Sequence, residues 1–418
     1  MRGWCVFLMS VMISSAVFAN DGTYYYISGN SLIPMIETDI TVKKEILTMK
    51  RLPRTGTERR PELMPGREYN HQVELSIYYE FFNPGERRKI IVGYECHPSS
   101  GVNLYMFPSL QKGDPYIHDF QVKMNGRKLK HKVAVVESDY TEKPYFQNGK
   151  FLELTKKELE ENEDPDAGFS YVYYFDADFK EGLNVIEQTL VCDMTHHHSY
   201  AYEFYYKLTP AMRWGNAQID DFTLNVDMGS EQVFHIDKTF FRKNSDWKII
   251  GTGRMSNLHV GGRHDEDDEG NLLPEEEQGT ATRFYIKEGY LQFKKKDFKT
   301  DGEFNILSFG YPSSPLNFDY KTDEYLYPDL AKQKLMNDDT YMWLGRKYIQ
   351  DIDSVSRAIL RDLPYARRGY VFPDPVVQKY FESQIWYTPD PAYRINYEAL
   401  SPNEKRWIYA LEGGEIED

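Results

Sequence analysis

The stretch Val73-Glu74-Leu75-Ser76-Ile77-Tyr78-Tyr79-Glu80-Phe81 alternates apolar and polar side chains over most of its length. Because successive side chains of a β-strand point to opposite sides, this pattern predicts an antiparallel strand with one buried face. Asn83-Pro84-Gly85 follows after one further residue and predicts the turn that ends the strand. The face expected in the core carries Val73, Leu75, Ile77, Tyr79 and Phe81, and the other face carries Glu74, Ser76 and Glu80.

Similar alternation continues from about residue 68 to residue 310 and predicts a mainly β protein. Asn125-Gly126 separates two strand-like runs and predicts a tight hairpin, because a two-residue turn of this type needs positive φ at both positions. Many short strands with turns between them are typical of a β-sandwich. The further runs are 89–94, 120–124, 129–136, 171–175, 184–191, 202–207, 222–226, 233–236, 247–250, 284–293 and 304–309.

The β region is too long for one seven-stranded sandwich, so we predict two of them. Residues 156–168 are dense in acidic side chains and contain Pro165, which is typical of a solvated linker. This places the first sandwich at residues 20–155 and the second at residues 169–315. A second linker at residues 316–340 would then lead to a small C-terminal α-helical domain at residues 341–412.

Helical periodicity marks this C-terminal domain. Apolar residues recur every three or four positions from Leu344 to Leu363, and Pro364 predicts the end of that helix or the start of a turn. A second helix is predicted over residues 376–387, with Asp374 as its N-cap. The spacing of Ser401 and Glu404 is that of a capping box and predicts a third helix.

The N-terminus has the pattern of a secretory signal peptide at residues 1–19. Arg2 precedes an apolar run from Trp4 to Val17, and the small side chain of Ala19 is compatible with cleavage after it. The alternative is a membrane anchor, which needs about 20 apolar residues, and this run is shorter. The pattern predicts an exported protein, periplasmic or extracellular, with no transmembrane segment in the mature chain.

Composition narrows the possible partners. The chain of 418 residues is 15% aromatic and carries a formal net charge of -15. A nucleic acid or an anionic membrane would therefore meet a repulsive field, and we expect no nucleic-acid partner. Cys96 and Cys192 remain after removal of the signal peptide, and in an oxidising compartment they form either a disulfide or two buried free thiols.

The densest motif in the sequence is Tyr365-Ala366-Arg367-Arg368-Gly369, preceded by the run 358–364 and followed by the aromatic-rich segment 380–387. With Pro389-Asp390-Pro391 and the segment 400–405, it resembles the YARHG domain, a small bacterial module. The resemblance implies an extracellular location and carries no catalytic assignment. Arg368 takes the place of the histidine of the motif, so a function that needs a titrating imidazole there is not expected.

A second resemblance covers most of the β region. It is carried by the segments 24–45, 82–85, 119–120, 206–209 and 213–222 and is to a bacterial secreted family of unknown function. That family implies no catalytic residues.

The arginine pair of the motif is the first candidate binding site. A guanidinium binds carboxylate or phosphate through two parallel hydrogen bonds, and aromatic faces stack on sugars, so a cell-envelope glycan or protein partner is a reasonable ligand. The alternative is that these residues build the core of the helical domain. The candidate residues are Tyr365, Arg367, Arg368, Tyr370 and Trp386.

Two segments are candidates for metal binding. Asp265, Asp267, Glu269 and Glu276, with Gly270, have the spacing of a calcium-binding loop, and the alternative is a solvated acidic loop. The run 196–198 is three histidines close to Cys192 and Asp193, and the alternative is an exposed turn, because zinc motifs bring more ligands at defined intervals. No cofactor other than calcium is suggested.

Two functions are compatible with these observations. The first is a non-enzymatic exported protein that binds a partner at the cell envelope. The alternative is a cell-wall or peptide hydrolase, because YARHG-like modules occur beside peptidases in other proteins. The common hydrolase and nucleotide-binding motifs are not present in the sequence, which favours the binding protein.

Overall fold

The structure is a computed structural model that describes residues 28–52, 71–96, 117–137, 146–155, 157, 169–197, 200–259, 273–274, 278–308, 318–322, 326 and 352–413. The predicted signal peptide at residues 1–19 and the candidate calcium residues Asp265, Asp267, Glu269 and Glu276 lie outside these ranges.

The first half of the β region contributes ten of the described strands. They are β1 (Ser28–Asn30), β2 (Ile33–Pro34), β3 (Thr41–Leu52), β4 (Gln72–Asn83), β5 (Arg88–Cys96), β6 (Ile117–Met124), β7 (Arg127–Lys128), β8 (Lys132–Glu137), β9 (Phe146–Gln147) and β10 (Lys150–Phe151).

The second half contributes nine more. They are β11 (Phe169–Phe179), β12 (Gly182–Asp193), β13 (Thr195–His197), β14 (Tyr200–Lys207), β15 (Ile219–Asp227), β16 (Gln232–Asp237), β17 (Trp247–Leu258), β18 (Ala281–Phe298) and β19 (Phe304–Ser308).

These strands form a large sheet, a small sheet and a hairpin. The large sheet has the order β1-β14-β19-β16-β18-β15-β3-β4-β12-β6-β7, with β13 paired to β14 and β17 paired to β18. Most of its described pairs are antiparallel, but β15 runs parallel to β3 and β1 runs parallel to β14. The small sheet has the order β2-β5-β11-β8, and β9 and β10 form the hairpin.

The two sheets pack their apolar faces together. Val73, Leu75, Ile77, Tyr79 and Phe81 are all at most 2% exposed, so the alternation in β4 correctly predicted the buried face. Ring contacts cross between the sheets, as in Phe81–Phe179 at 5.6 Å and Tyr94–Phe120 at 5.7 Å between centroids. The aromatic residues that raise the strand propensity of this sequence therefore also fill its core.

The two consecutive sandwiches predicted from the sequence are not what the described strands form. β12 pairs with β4 over twelve residue pairs, and β11 pairs with β5 over nine, so strands from both sides of residues 156–168 meet in both sheets. An acidic, proline-containing stretch indicates solvent exposure, but it carries no information on which distant strands pair. The mainly β fold with its helices at the C-terminus is confirmed.

The C-terminal module, residues 352–413, contains helices α1 (Ser354–Ala366), α2 (Pro375–Ser383) and α3 (Pro402–Leu411). Asp374 caps α2 by accepting bonds from the amides of Val376 and Val377, as predicted. Ser401 and Glu404 form the predicted capping box of α3. Helix α2 ends four residues before the predicted Tyr387, with Gln384 as its C-cap.

Pro364 lies inside α1 and does not end it. A proline lacks the amide proton that would bond to the carbonyl four residues earlier, here that of Leu360. The indole of Trp407 in α3 donates to this carbonyl at 2.6 Å and replaces the missing bond. Tertiary packing thus compensates for a residue that, on local grounds, predicted the end of the helix.

No helix in the described ranges is both long enough and apolar enough to span a bilayer.

Candidate functional site

The arginine pair of the Tyr365–Gly369 motif binds a buried carboxylate of its own chain. Arg368 donates to both carboxylate oxygens of Glu404, at 2.8 Å from Nη1 to Oε1 and 3.0 Å from Nη2 to Oε2. Arg367 donates to the same Oε1 at 3.1 Å. The side chain of Glu404 is only 1% exposed, so this cluster lies inside the module.

Hydrogen bonds from neighbouring groups favour the ionised form of the Glu404 side chain. Burial raises its pKa, but hydrogen bonds from Arg368 and from the amide of Ser401 outweigh burial and leave the pKa below its ordinary value. Charge-assisted bonds of this bidentate kind are among the strongest that a protein forms. Glu404 therefore joins α3 to the end of α1.

The same motif also connects the module to the β body. The second guanidinium nitrogen of Arg367 donates to Glu231, which lies just before β16, at 3.1 Å. Arg254 of β17 donates to the carbonyl of Tyr387 at 3.2 Å. Val233 and Tyr285 of the β body belong to the apolar cluster of the module. The module therefore packs directly on the large sheet.

The aromatic candidates of the motif belong to the same core. Tyr365 is 8% exposed and Trp386 is 5% exposed, and the indole of Trp386 donates to the carbonyl of Leu326 at 2.8 Å. Tyr370 is half-buried, and its carbonyl accepts a bond from Tyr387. Gly369 has φ 83°, and a Cβ there would lie 2.6 Å from the carbonyl oxygen of Thr388. These contacts agree with the alternative that the residues build the core of the helical domain. Ligand binding by them stays a prediction.

The described residues contain no group of three or more histidine, cysteine, aspartate or glutamate side chains arranged to hold a metal ion. Of the histidine run, residues 196 and 197 end the short strand β13, and their side chains are outside the described set. Cys96 and Cys192 are both buried, at 1% and 0% exposed, and a disulfide between them stays a prediction.

A histidine–carboxylate pair that the sequence did not indicate lies at the end of β12. Oδ1 of Asp193 accepts a bond from Gln72 at 2.7 Å and lies 3.1 Å from Nε2 of His118. The Asp193 side chain is 2% exposed. In the sequence Asp193 is only a neighbour of the histidine run, whereas its partners His118 and Gln72 are 75 and 121 residues away. Only strand pairing brings the two together.

The described residues form a pocket of about 340 Å³ on the outer face of the small sheet, which we call the outer-sheet pocket. Its floor includes Tyr174 of β11 and Phe151 of β10, whose ring centroids are 4.4 Å apart. The β9–β10 hairpin covers this part of the sheet because Phe146 and Phe151 pack with Val172 and Val136. The pocket is within the size range usual for small-ligand sites.

Charged side chains surround this aromatic floor. Lys130, Lys132 and Lys150 line the pocket together with Glu153 and Asp176. Lys132 lies opposite Tyr174 in the β8–β11 pair, and its ammonium is 5.9 Å from the centre of the tyrosine ring. Burial, with help from Glu153 and Asp176, raises the pKa of Tyr174, which therefore stays a neutral phenol.

Sequence reasoning missed this pocket. Its residues come from β5, β8, β10, β11 and the segments beside β8 and β10. The one local signal was alternation in β11, in which Tyr174 and Asp176 fall on the face opposite Tyr173 and Phe175. Such alternation identifies two faces, but it does not show that a hairpin covers one of them.

Comparison with known proteins identifies the C-terminal module. Residues 332–414 match the YARHG domain family, so the resemblance predicted for this region is confirmed. The match spans the module and not the β body. No curated protein matches the sequence of the chain.

Two solved structures align with larger parts of the chain. A proposed nutrient-binding protein from Legionella pneumophila is 14% identical with a TM-score of 0.46, and the alignment covers 95% of this chain and 100% of that one. An M1 zinc metallopeptidase from Deinococcus radiodurans is 8% identical with a TM-score of 0.22, covering 64% of this chain and 42% of that one. At these scores neither alignment transfers a ligand or a reaction.

Proposed function

We propose that this chain is an exported, non-enzymatic binding protein of the cell envelope and that its β body holds a small ligand in the outer-sheet pocket. The observation that carries the proposal is the pocket itself, in which an aromatic floor is surrounded by side chains of both charges. In this proposal the YARHG module supports the β body, because its arginines are occupied by Glu404 and Glu231.

The chemistry of the pocket supports binding more than catalysis. Ammonium groups, carboxylates and aromatic rings fix the orientation of a ligand through charge and contact area. The alternative of a hydrolase would be supported by histidine and acidic side chains converging on a concave site. The lining residues of the outer-sheet pocket include no histidine.

Replacing Phe151 with alanine is expected to weaken binding at the pocket by about tenfold or more, because the ligand loses both the apolar area that it buries on the ring and an aromatic contact of about 1 kcal/mol. The measurement is a thermal-shift screen of the full mature chain against envelope sugars and short peptides. Affinities for the best ligands would then be determined by calorimetry for the natural protein and for Phe151→Ala.

Leu152→Ala is the matched control. Leu152 is the next residue in the chain, is 51% exposed and does not line the pocket. Binding that is reduced by Phe151→Ala and kept by Leu152→Ala supports the proposal. The proposal is overturned if no screened ligand binds, or if both variants bind every ligand as the natural protein does.

A separate prediction concerns the export of the chain. Expressed in a bacterial host, the chain is expected to lose residues 1–19 and to begin at Asn20, because the apolar run followed by Ala19 has the pattern that a signal peptidase cleaves. Intact mass and N-terminal sequencing of the periplasmic and extracellular fractions measure this. Recovery of uncleaved protein in the cytoplasm alone would contradict it, whereas an Ala19→Arg variant should stay uncleaved.

A further inference from the structure

We infer that the ligand of the outer-sheet pocket is an anionic sugar, with its ring on the aromatic floor and its carboxylate or phosphate among the lysines. This inference rests on the proposed function and adds the ligand class. It is carried by Lys132 and Lys150, which line the same pocket as Tyr174 and Phe151, and by the two carboxylates of the lining.

The lysines favour an anion. Three ammonium groups and two carboxylates line the pocket, so its local charge is positive on a chain whose overall charge is -15. Lys130, Lys132 and Lys150 are all solvent-exposed, and each presents three donors on a flexible stem. They can therefore gather around one carboxylate or phosphate without leaving a buried charge unpaired.

The aromatic floor favours a flat, partly apolar ring. Phe151 and Tyr174 are inclined at 41° with their centroids 4.4 Å apart, so together they form a shallow wedge and not a deep slot. The apolar C–H face of a sugar ring packs on such surfaces, while its edge stays hydrated. The half-buried state of both rings is what a shallow, stacked ligand requires.

The carboxylates favour hydroxyl groups. The carboxylate oxygens of Glu153 and Asp176 are hydrogen-bond acceptors, and both side chains are exposed at the pocket. Sugar hydroxyls donate to such acceptors, whereas a simple inorganic anion would be repelled by them. One ligand that uses all three features carries an anionic group, several hydroxyls and one apolar face.

The test compares three small probes on the full mature chain. Methyl D-glucuronide carries ring, hydroxyls and carboxylate, methyl D-glucoside lacks the carboxylate, and L-phenylalanine is a zwitterion with an aromatic ring. Saturation-transfer NMR with titration measures each affinity. The glucuronide is expected to bind about tenfold or more tightly than the glucoside, and its binding should weaken between about 50 mM and about 500 mM NaCl.

A pair of variants assigns the effect to the lysines. Lys132→Gln combined with Lys150→Gln is expected to reduce glucuronide affinity to that of the glucoside, because the ammonium groups are lost and the floor remains. Lys123→Gln is the control, since Lys123 is an exposed lysine of β6 that does not line the pocket. Circular dichroism would verify that all three proteins fold alike.

The outcomes test the ligand class and the proposed function separately. Equal binding of glucoside and glucuronide, a preference for L-phenylalanine, or no glucuronide binding at all overturns the anionic sugar. Binding of any of these ligands that Phe151→Ala removes leaves the proposed function standing. A lysine-dependent, salt-sensitive preference for the glucuronide supports both.

Discussion

Replacing Glu404 with alanine is expected to lower the free energy of unfolding of the C-terminal module by about 3–5 kcal/mol, because it leaves two guanidinium groups without their buried carboxylate. The side chains of Arg367 and Arg368 are 6% and 26% exposed. Water therefore cannot fully replace the lost contact with Glu404 at either guanidinium group. The change also removes half of the capping box with Ser401. Hydrogen exchange of the α1 and α3 amides would report the loss locally, while the amides of the β body keep their protection.

The matched control is Glu398→Ala. Glu398 forms an ion pair with Lys405 at 2.8 Å in the same module, but its side chain is 85% exposed. Its loss is expected to cost less than about 1 kcal/mol, as is usual for surface ion pairs. Similar hydrogen exchange in the two variants would show that the Glu404 cluster stabilises the module no more than a surface ion pair does.

Glu45 is expected to make the stability of the β body fall as the pH rises through the neutral range. Its side chain is completely buried, and burial raises its pKa to about 8, with the Tyr79 hydroxyl acting in the opposite direction. The ordinary pKa is 4.5. From pH 4.5 to about 8 the folded chain keeps a proton that the unfolded chain has released, so unfolding becomes easier as the pH rises.

The difference between the two pKa values corresponds to a loss of about 5 kcal/mol by pH 8 to 9 relative to the stability at pH 4.5. Glu45→Gln removes the titrating group and keeps the shape, so the difference in unfolding free energy between natural protein and variant should change with pH in this way. Urea unfolding at several pH values, followed by tryptophan fluorescence, measures it. Below pH 4.5 the difference should be constant, because both states of the natural protein are then protonated.

Glu74→Gln is the control for this series. Glu74 is on β4 but points to the solvent side, so its substitution should leave the pH dependence as it is in the natural protein. If Glu45→Gln also keeps the pH dependence of the natural protein, the buried carboxyl is not its source.

The burial of Glu45 could not be predicted from the alternation of apolar and polar residues in β3. In β3 the buried residues Val42 and Glu45 are three positions apart, which a regular strand places on opposite faces. The register between β3 and β4 shifts between Val42 and Lys44, and this bulge brings Glu45 to the core face with Leu47. Local sequence predicted the strands, but the bulge depends on the pairing with a partner strand.

The sequence by itself determined the fold class, the buried face of β4, the helix caps and the YARHG module, because each depends on residues within a few positions of one another. Asp374, Ser401 and the alternation in β4 are examples. Tertiary structure alone decided which strands pair across residues 156–168, why α1 continues through Pro364, and that Arg367 and Arg368 meet Glu404. It also assembled the outer-sheet pocket. These features join side chains that are distant in sequence, and only packing brings them within hydrogen-bonding or van der Waals range.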